Sequence, residues 1–105
     1  MEQIFVNAND RPWEAAAGYP SEIKRKVLRS GPDGRPRVAL LRLEPGCRMD
    51  AHSHVHAENH YVLEGMYEAQ GREYPAGSYR FIPKQEQHGP FHSPAGAVLL
   101  VVWED

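Results

Sequence analysis

Glycine and proline interrupt this chain so often that no long regular element fits between them. Nine of each fall within 105 residues. Pro32-Asp-Gly34, Pro45-Gly46, Glu64-Gly65, Gln70-Gly71, Pro75-Ala-Gly77, Gly89-Pro90 and Pro94-Ala-Gly96 all carry turn chemistry, since proline presets φ and glycine supplies left-handed backbone. The intervals between them have strand composition, which predicts strands over 23–28, 37–43, 59–63, 77–82 and 97–103. Only 10–18 offers a helical turn, with Asp10 as its cap and Pro12 early in it. Many short strands with regularly spaced turns point to a sandwich or barrel, so the expected class is all-β. The length suits one domain spanning 1–105, with 1–22 as an N-terminal arm.

The segment 97–103, Ala-Val-Leu-Leu-Val-Val-Trp, is apolar throughout rather than alternating. A strand of that kind needs cover on both faces. One face can fill the interior; the other must meet the arm (Ile4, Phe5, Val6, Trp13) or a second subunit. A homodimer is therefore expected.

The charge balance excludes several partners. With 25% charged residues, 41% hydrophobic ones and a net charge of −2, the chain presents no field for nucleic acid or acidic lipid. The basic run Lys24-Arg25-Lys26 sits between Ile23 and Val27 and reads as a solvated strand face. Cys47 is the one cysteine, which rules out an internal disulfide and a thiolate metal site; it reads as a packed small residue. The opening Met1-Glu-Gln-Ile-Phe-Val-Asn7 lacks the basic and then apolar regions of a signal peptide. The longest apolar run falls far short of the roughly 20 residues that span a bilayer. A cytoplasmic protein with no membrane partner is expected.

Function is concentrated in one stretch. His52, His54, His56 and His60 lie within nine residues, with Glu58 among them and Gly46 and Gly65 on either side. Neutral imidazole is the commonest metal ligand. Period-2 spacing puts His52 and His54 on one side of an extended strand, and Glu58 adds a hard oxygen donor. Ligands must converge from separate parts of a scaffold, and His88, after the strand closed by Pro83, is the distant candidate.

Gly46, five residues, His52-x-His54, three residues, Glu58, six residues and Gly65 make a full match to the first motif of the cupins. Gly77, five residues, Pro83 and then His88 are similar to their second motif. Gln85 stands where that family usually has glycine, and His92 where it usually has asparagine. The resemblance covers about 40–102 and implies a small β-barrel of jelly-roll type. It also implies that His52, His54, Glu58 and His88 hold a metal. The region 13–28 is similar to the short cupins related to the ChrR anti-sigma module.

Three imidazoles and one carboxylate leave a divalent ion with a net charge of about +1. Iron, manganese or nickel would keep two open positions, whereas zinc tends toward four-coordination. His60 shares strand parity with Glu58 and should point inward. There it could support a ligand, act as an acid or base, serve as an alternative ligand, or simply be a satisfied buried histidine. It is the candidate catalytic residue. His56 reads as a loop residue at the pocket mouth and His92 as a rim residue. In 77–82, burying an unpaired arginine would be unfavourable, so Tyr79 and Phe81 rather than Arg80 are expected to face inward. The set implies a metal-dependent enzyme of dioxygenase or isomerase type acting on a small organic molecule. The alternative is a non-catalytic sensing or binding module.

Overall fold

The computed structural model describes residues 2–16, 18–50, 52–53 and 55–104, with positions 52, 53 and 88 described by backbone alone. The strands in chain order are β1 (Glu14–Ala15), β2 (Ile23–Ser30), β3 (Pro36–Leu43), β4 (Cys47–Met49), β5 (His52–Ser53) and β6 (Ala57–Ala69). They continue with β7 (Arg72–Pro75), β8 (Tyr79–Ile82), β9 (Gln87–His88), β10 (Phe91–Ser93) and β11 (Ala97–Glu104). The all-β jelly-roll expectation holds, and every strand pair is antiparallel. The main sheet runs β1-β2-β3-β11-β6-β10-β4, with β7 and β8 also on β6, while β5 and β9 form a separate two-stranded ladder.

Strand β6 is the axis of this arrangement. Its first half pairs with β11 and β8, and its second half with β7 and β10, so one strand joins the two layers. The sequence reads Glu64-Gly65 as a turn, but here the strand runs straight through it. Val98 stands opposite Glu64 and Leu99 opposite Val62, which makes Leu63 the extra residue of a bulge. The bulge flips the parity. Glu58, His60 and Val62 are buried before it, Tyr67 and Ala69 after it. Gly65 holds φ +73 there, and a Cβ at that position would lie 2.1 Å from the Gly96 carbonyl oxygen. Only glycine permits the approach.

The core is one cluster built from Ile23, Leu41, Leu43, Val62, Tyr67, Phe91, Leu99, Val101 and their neighbours, with Cys47 packed into it as expected. Tyr67 is its aromatic hub, stacked on Tyr74 at 5.0 Å and edge-on to Phe91 at 5.8 Å. Along β11 the inner positions Ala97, Leu99 and Val101 are buried, while Val98, Leu100 and Val102 on the outer face are half-buried.

Three local expectations are corrected. The helical turn over 10–18 is instead a single 3-10 turn, Ala8–Asp10, capped by the Asn7 side chain, followed by strand β1 on the edge of β2. Arg11 donates to the Val27 carbonyl and the Lys26 ammonium to the Ala8 carbonyl, so long-range ties to β2 outweigh the local helix signal. The basic run 24–26 is not wholly a solvated face. Lys26 sits over the Trp13 ring at 4.7 Å, whereas Arg25 alternates to the interior opposite Leu41.

The third correction concerns β8. Tyr79 and Phe81 face outward, 60% and 50% exposed, and Arg80 takes the inward parity with buried Ile82. Arg80 avoids the expected penalty by reaching along the interior to polar company. Its guanidinium lies 5.1 Å over the Tyr74 ring and donates to the Tyr67 hydroxyl at 3.4 Å and the Gln70 amide oxygen at 3.3 Å.

Candidate metal centre

The β6–β8 ladder ends with Glu58 opposite Ile82. Six residues further along each chain the two segments meet again, with His52 opposite His88 in the β5–β9 ladder. Two of the predicted ligands are thus backbone neighbours, whose Cα atoms lie roughly 5 Å apart in such a pair. Glu58 stands where the same two segments leave the main sheet. The side chains of His52 and His88, and all of His54, lie outside the described residues. Among the described residues no three His, Cys, Asp or Glu side chains group to hold an ion.

Glu58 and His60 are buried polar groups of this interior, 2% and 4% exposed. Trp103 and Ile82 flank Glu58 in register, while Val101 and the charged Arg80 flank His60. His60 Nε2 lies 3.0 Å from Glu58 Oε1, and Nδ1 lies 3.1 Å from the Tyr67 hydroxyl. One proton arrangement satisfies the whole chain. Arg80 donates to the Tyr67 oxygen, the Tyr67 O–H donates to Nδ1, and Nε2–H donates to the carboxylate. The inward placement of His60 expected from parity is therefore found, with both ring nitrogens engaged.

The electrostatics around Glu58 are those of a buried anion. Burial, and then the Glu58 charge, push the Tyr19 phenol up to about 12 despite the opposing pull of Arg25. Burial raises Tyr67 as well, with the Arg80 hydrogen bond working against it. Taking a carboxylate out of water is strongly unfavourable without compensating positive charge. A divalent cation is the complement such a group fits, and imidazoles from the facing ladder would be its natural co-ligands.

A cavity of about 290 Å³ opens on the same interior, walled by Tyr19, Leu41 and Trp103. His56 lines it, which agrees with its expected place at the pocket mouth. His92 instead lies on β10, its Nδ1 3.9 Å from Glu68 Oε2 and its backbone opposite Arg48. Tyr19, Arg25, Tyr67 and Trp103 also shape this interior, and sequence reasoning did not single them out as site residues. For Arg25, strict alternation from the buried Ile23 was the available signal.

The family model of the ChrR cupin-like domain matches residues 1–104. The chain belongs to the ChrR cupin-like family. Solved structures agree on the fold. The polyketide cyclase RemF from Streptomyces resistomycificus superposes with a TM-score of 0.77 at 23% identity, covering 99% of this chain and 81% of that one. An acetylacetone dioxygenase from Acinetobacter johnsonii gives 0.77 at 18% identity, covering 99% and 74%. The anti-sigma ChrR of Rhodobacter sphaeroides, in complex with SigE, gives 0.71 at 19% identity, covering 93% of this cupin-like chain and 52% of ChrR. No curated protein matches the chain. Similarity at these identities is similarity of fold, on which many chemistries are built.

Proposed function

We propose that this cupin binds a divalent transition metal (iron, manganese, nickel or zinc) through His52, His54, Glu58 and His88, and acts as a metal-dependent enzyme on a small organic molecule. The observation that carries the reading is the deeply buried Glu58 carboxylate, placed where the two chain segments bearing His52 and His88 come together. The ion, when bound, supplies Lewis-acid polarisation of a chelating oxygen substrate, as dioxygenase-type or isomerase-type chemistry requires. The chain's own residues supply the rest. His60 holds a proton at Nε2 against Glu58, Tyr67 fixes the ring through Nδ1, and Arg80 polarises Tyr67. Because both ring nitrogens are occupied, His60 supports the ligand carboxylate rather than replacing it. Trp103 and Leu41 restrict water at the cavity.

Family membership supports a second reading, a non-catalytic module that senses a metal or small ligand, since the name-giving member is an anti-sigma protein. Oxygen consumption with a panel of small diketones and catechols after Fe(II) loading separates the two. Turnover supports the oxygenase form, and silence with every metal and substrate supports the sensing module.

The same reading includes a single domain over 1–105, a homodimer and a cytoplasmic setting. No helix among the described residues is long and apolar enough to cross a membrane. On the outer face Tyr61 stands opposite Tyr79, with Leu63 and Phe81 nearby, all four exposed, and Phe5 of the arm is 90% exposed. Sedimentation giving a monomer at micromolar concentration would remove the dimer from this account.

A further inference from the structure

The interior cavity beside Glu58 carries a charge pattern that metal binding does not explain. Two of its lining residues are arginines, Arg25 and Arg35 (the latter 4.0 Å from Asp33), His56 stands with them, and among the described residues no carboxylate lines it. Arg25 is the unusual one. Its neighbours Lys24 and Lys26 alternate outward, while Arg25 turns inward opposite Leu41. Its Nε is buried and donates to no acceptor among the described residues. A buried N–H without an acceptor is unfavourable, and more so on a charged group. A site that keeps such a group is arranged for an acceptor that arrives from outside. Guanidinium is planar and offers paired donors that match a carboxylate edge to edge.

We propose that this cavity binds a small organic carboxylate, with Arg25 as the fork that holds it and Arg35 as the cation that draws it in. The space of about 290 Å³ sits at the low end of ligand pockets, so the ligand is a fragment of about one ring. Trp103 and Tyr19 give it aromatic walls. Tyr19 stays protonated across physiological pH and keeps an O–H donor at the wall. The proposal rests on the reading of this barrel interior as the ligand site, and adds the charge of the ligand to it. The Glu58 charge, which is felt at Tyr19, opposes an anion, and Arg25, which acts on Tyr19 in the opposite sense, is the counterweight that decides whether one is accepted.

Benzoate and benzamide test this directly, since they share a shape and differ in charge. Calorimetric titration of the full chain, as purified and after chelator stripping, should show benzoate binding at least tenfold tighter than benzamide in both forms. Arg25→Met should weaken benzoate tenfold or more and leave benzamide unchanged, with Arg25→Lys between. Its Tm should not fall, because the change removes an unsatisfied buried donor. Equal affinity for the two probes, or no benzoate binding at low millimolar concentration, overturns the proposal without any variant. So does a less stable Arg25→Met protein with unchanged benzoate affinity, which would make Arg25 a support for Glu58. If stripping abolishes benzoate binding whatever stands at position 25, the ion holds the anion: the metal reading stands and this one falls. Arg25-dependent binding in protein that carries no metal would do the reverse.

Discussion

The two halves of β6 share one strand and one barrel interior, yet they are built on opposite principles. Beyond the bulge, Tyr67 and Ala69 pack into a continuous apolar core with Tyr74 and Phe91. Before it, the inward positions Glu58 and His60 precede apolar Val62, and these two are groups that are unfavourable to bury. The difference teaches where the fold is held together and where stability is given up to bury polar groups, the place the proposed function puts its chemistry. Residues that violate the burial rule while their neighbours obey it mark the site.

The comparison can be broken at its strongest point first. Tyr67→Ala removes the aromatic hub and should lose about 3–5 kcal/mol in urea denaturation, as buried aromatic truncations do; a loss under about 1 kcal/mol would deny that the second half carries the core. Gly65 joins the halves, and Gly65→Ala drives a Cβ into the Gly96 carbonyl at an unfavourable φ. Roughly 3 kcal/mol should be lost, from overpacking and left-handed strain together. At the polar end the sign reverses. Glu58→Leu combined with His60→Leu should leave the metal-free protein unchanged or raise its stability by about 2 kcal/mol, since a buried polar pair gives way to apolar volume. A large loss there would make the polar end structural.

The smallest effect lies at alkaline pH. Tyr19 titrates near 10 when unfolded and at about 12 when folded, so the unfolded state releases its proton first. Its contribution is fully present below pH 10 and is lost as pH rises through 12. The decline should amount to about 1–2 kcal/mol, discounted for the partial exposure of the ring. Tyr19→Phe should flatten that limb in part, with Tyr67 contributing the remainder.

Much of this was legible in the sequence, for identifiable reasons. Turn chemistry marked most strand ends because glycine and proline act locally, and the spacing from Gly46 to Gly65 pointed to a cupin. Parity put His60 inward because it depends on Glu58 two residues away and on nothing distant. Glu64-Gly65 misled because a bulge glycine and a turn glycine require the same left-handed φ. The inward side of β8 could not be read from Tyr-Arg-Phe-Ile, since the partners that make Arg80 acceptable, Tyr67, Gln70 and Tyr74, arrive from β6, β7 and the turn between them. Gln85, which departs from the cupin pattern, adopts φ +61, so the backbone there keeps the glycine conformation without the glycine. Arg25 was concealed inside a basic run whose other members do face outward.

Elemental analysis of untagged protein tests the central claim most directly, with Glu58→Gln and His60→Ala measured beside the wild type. The account predicts about one divalent transition ion per chain in the wild type, loss of it in Glu58→Gln, and retention in His60→Ala. A wild type without metal, or a His60→Ala variant that loses the ion while Glu58→Gln keeps it, would contradict it.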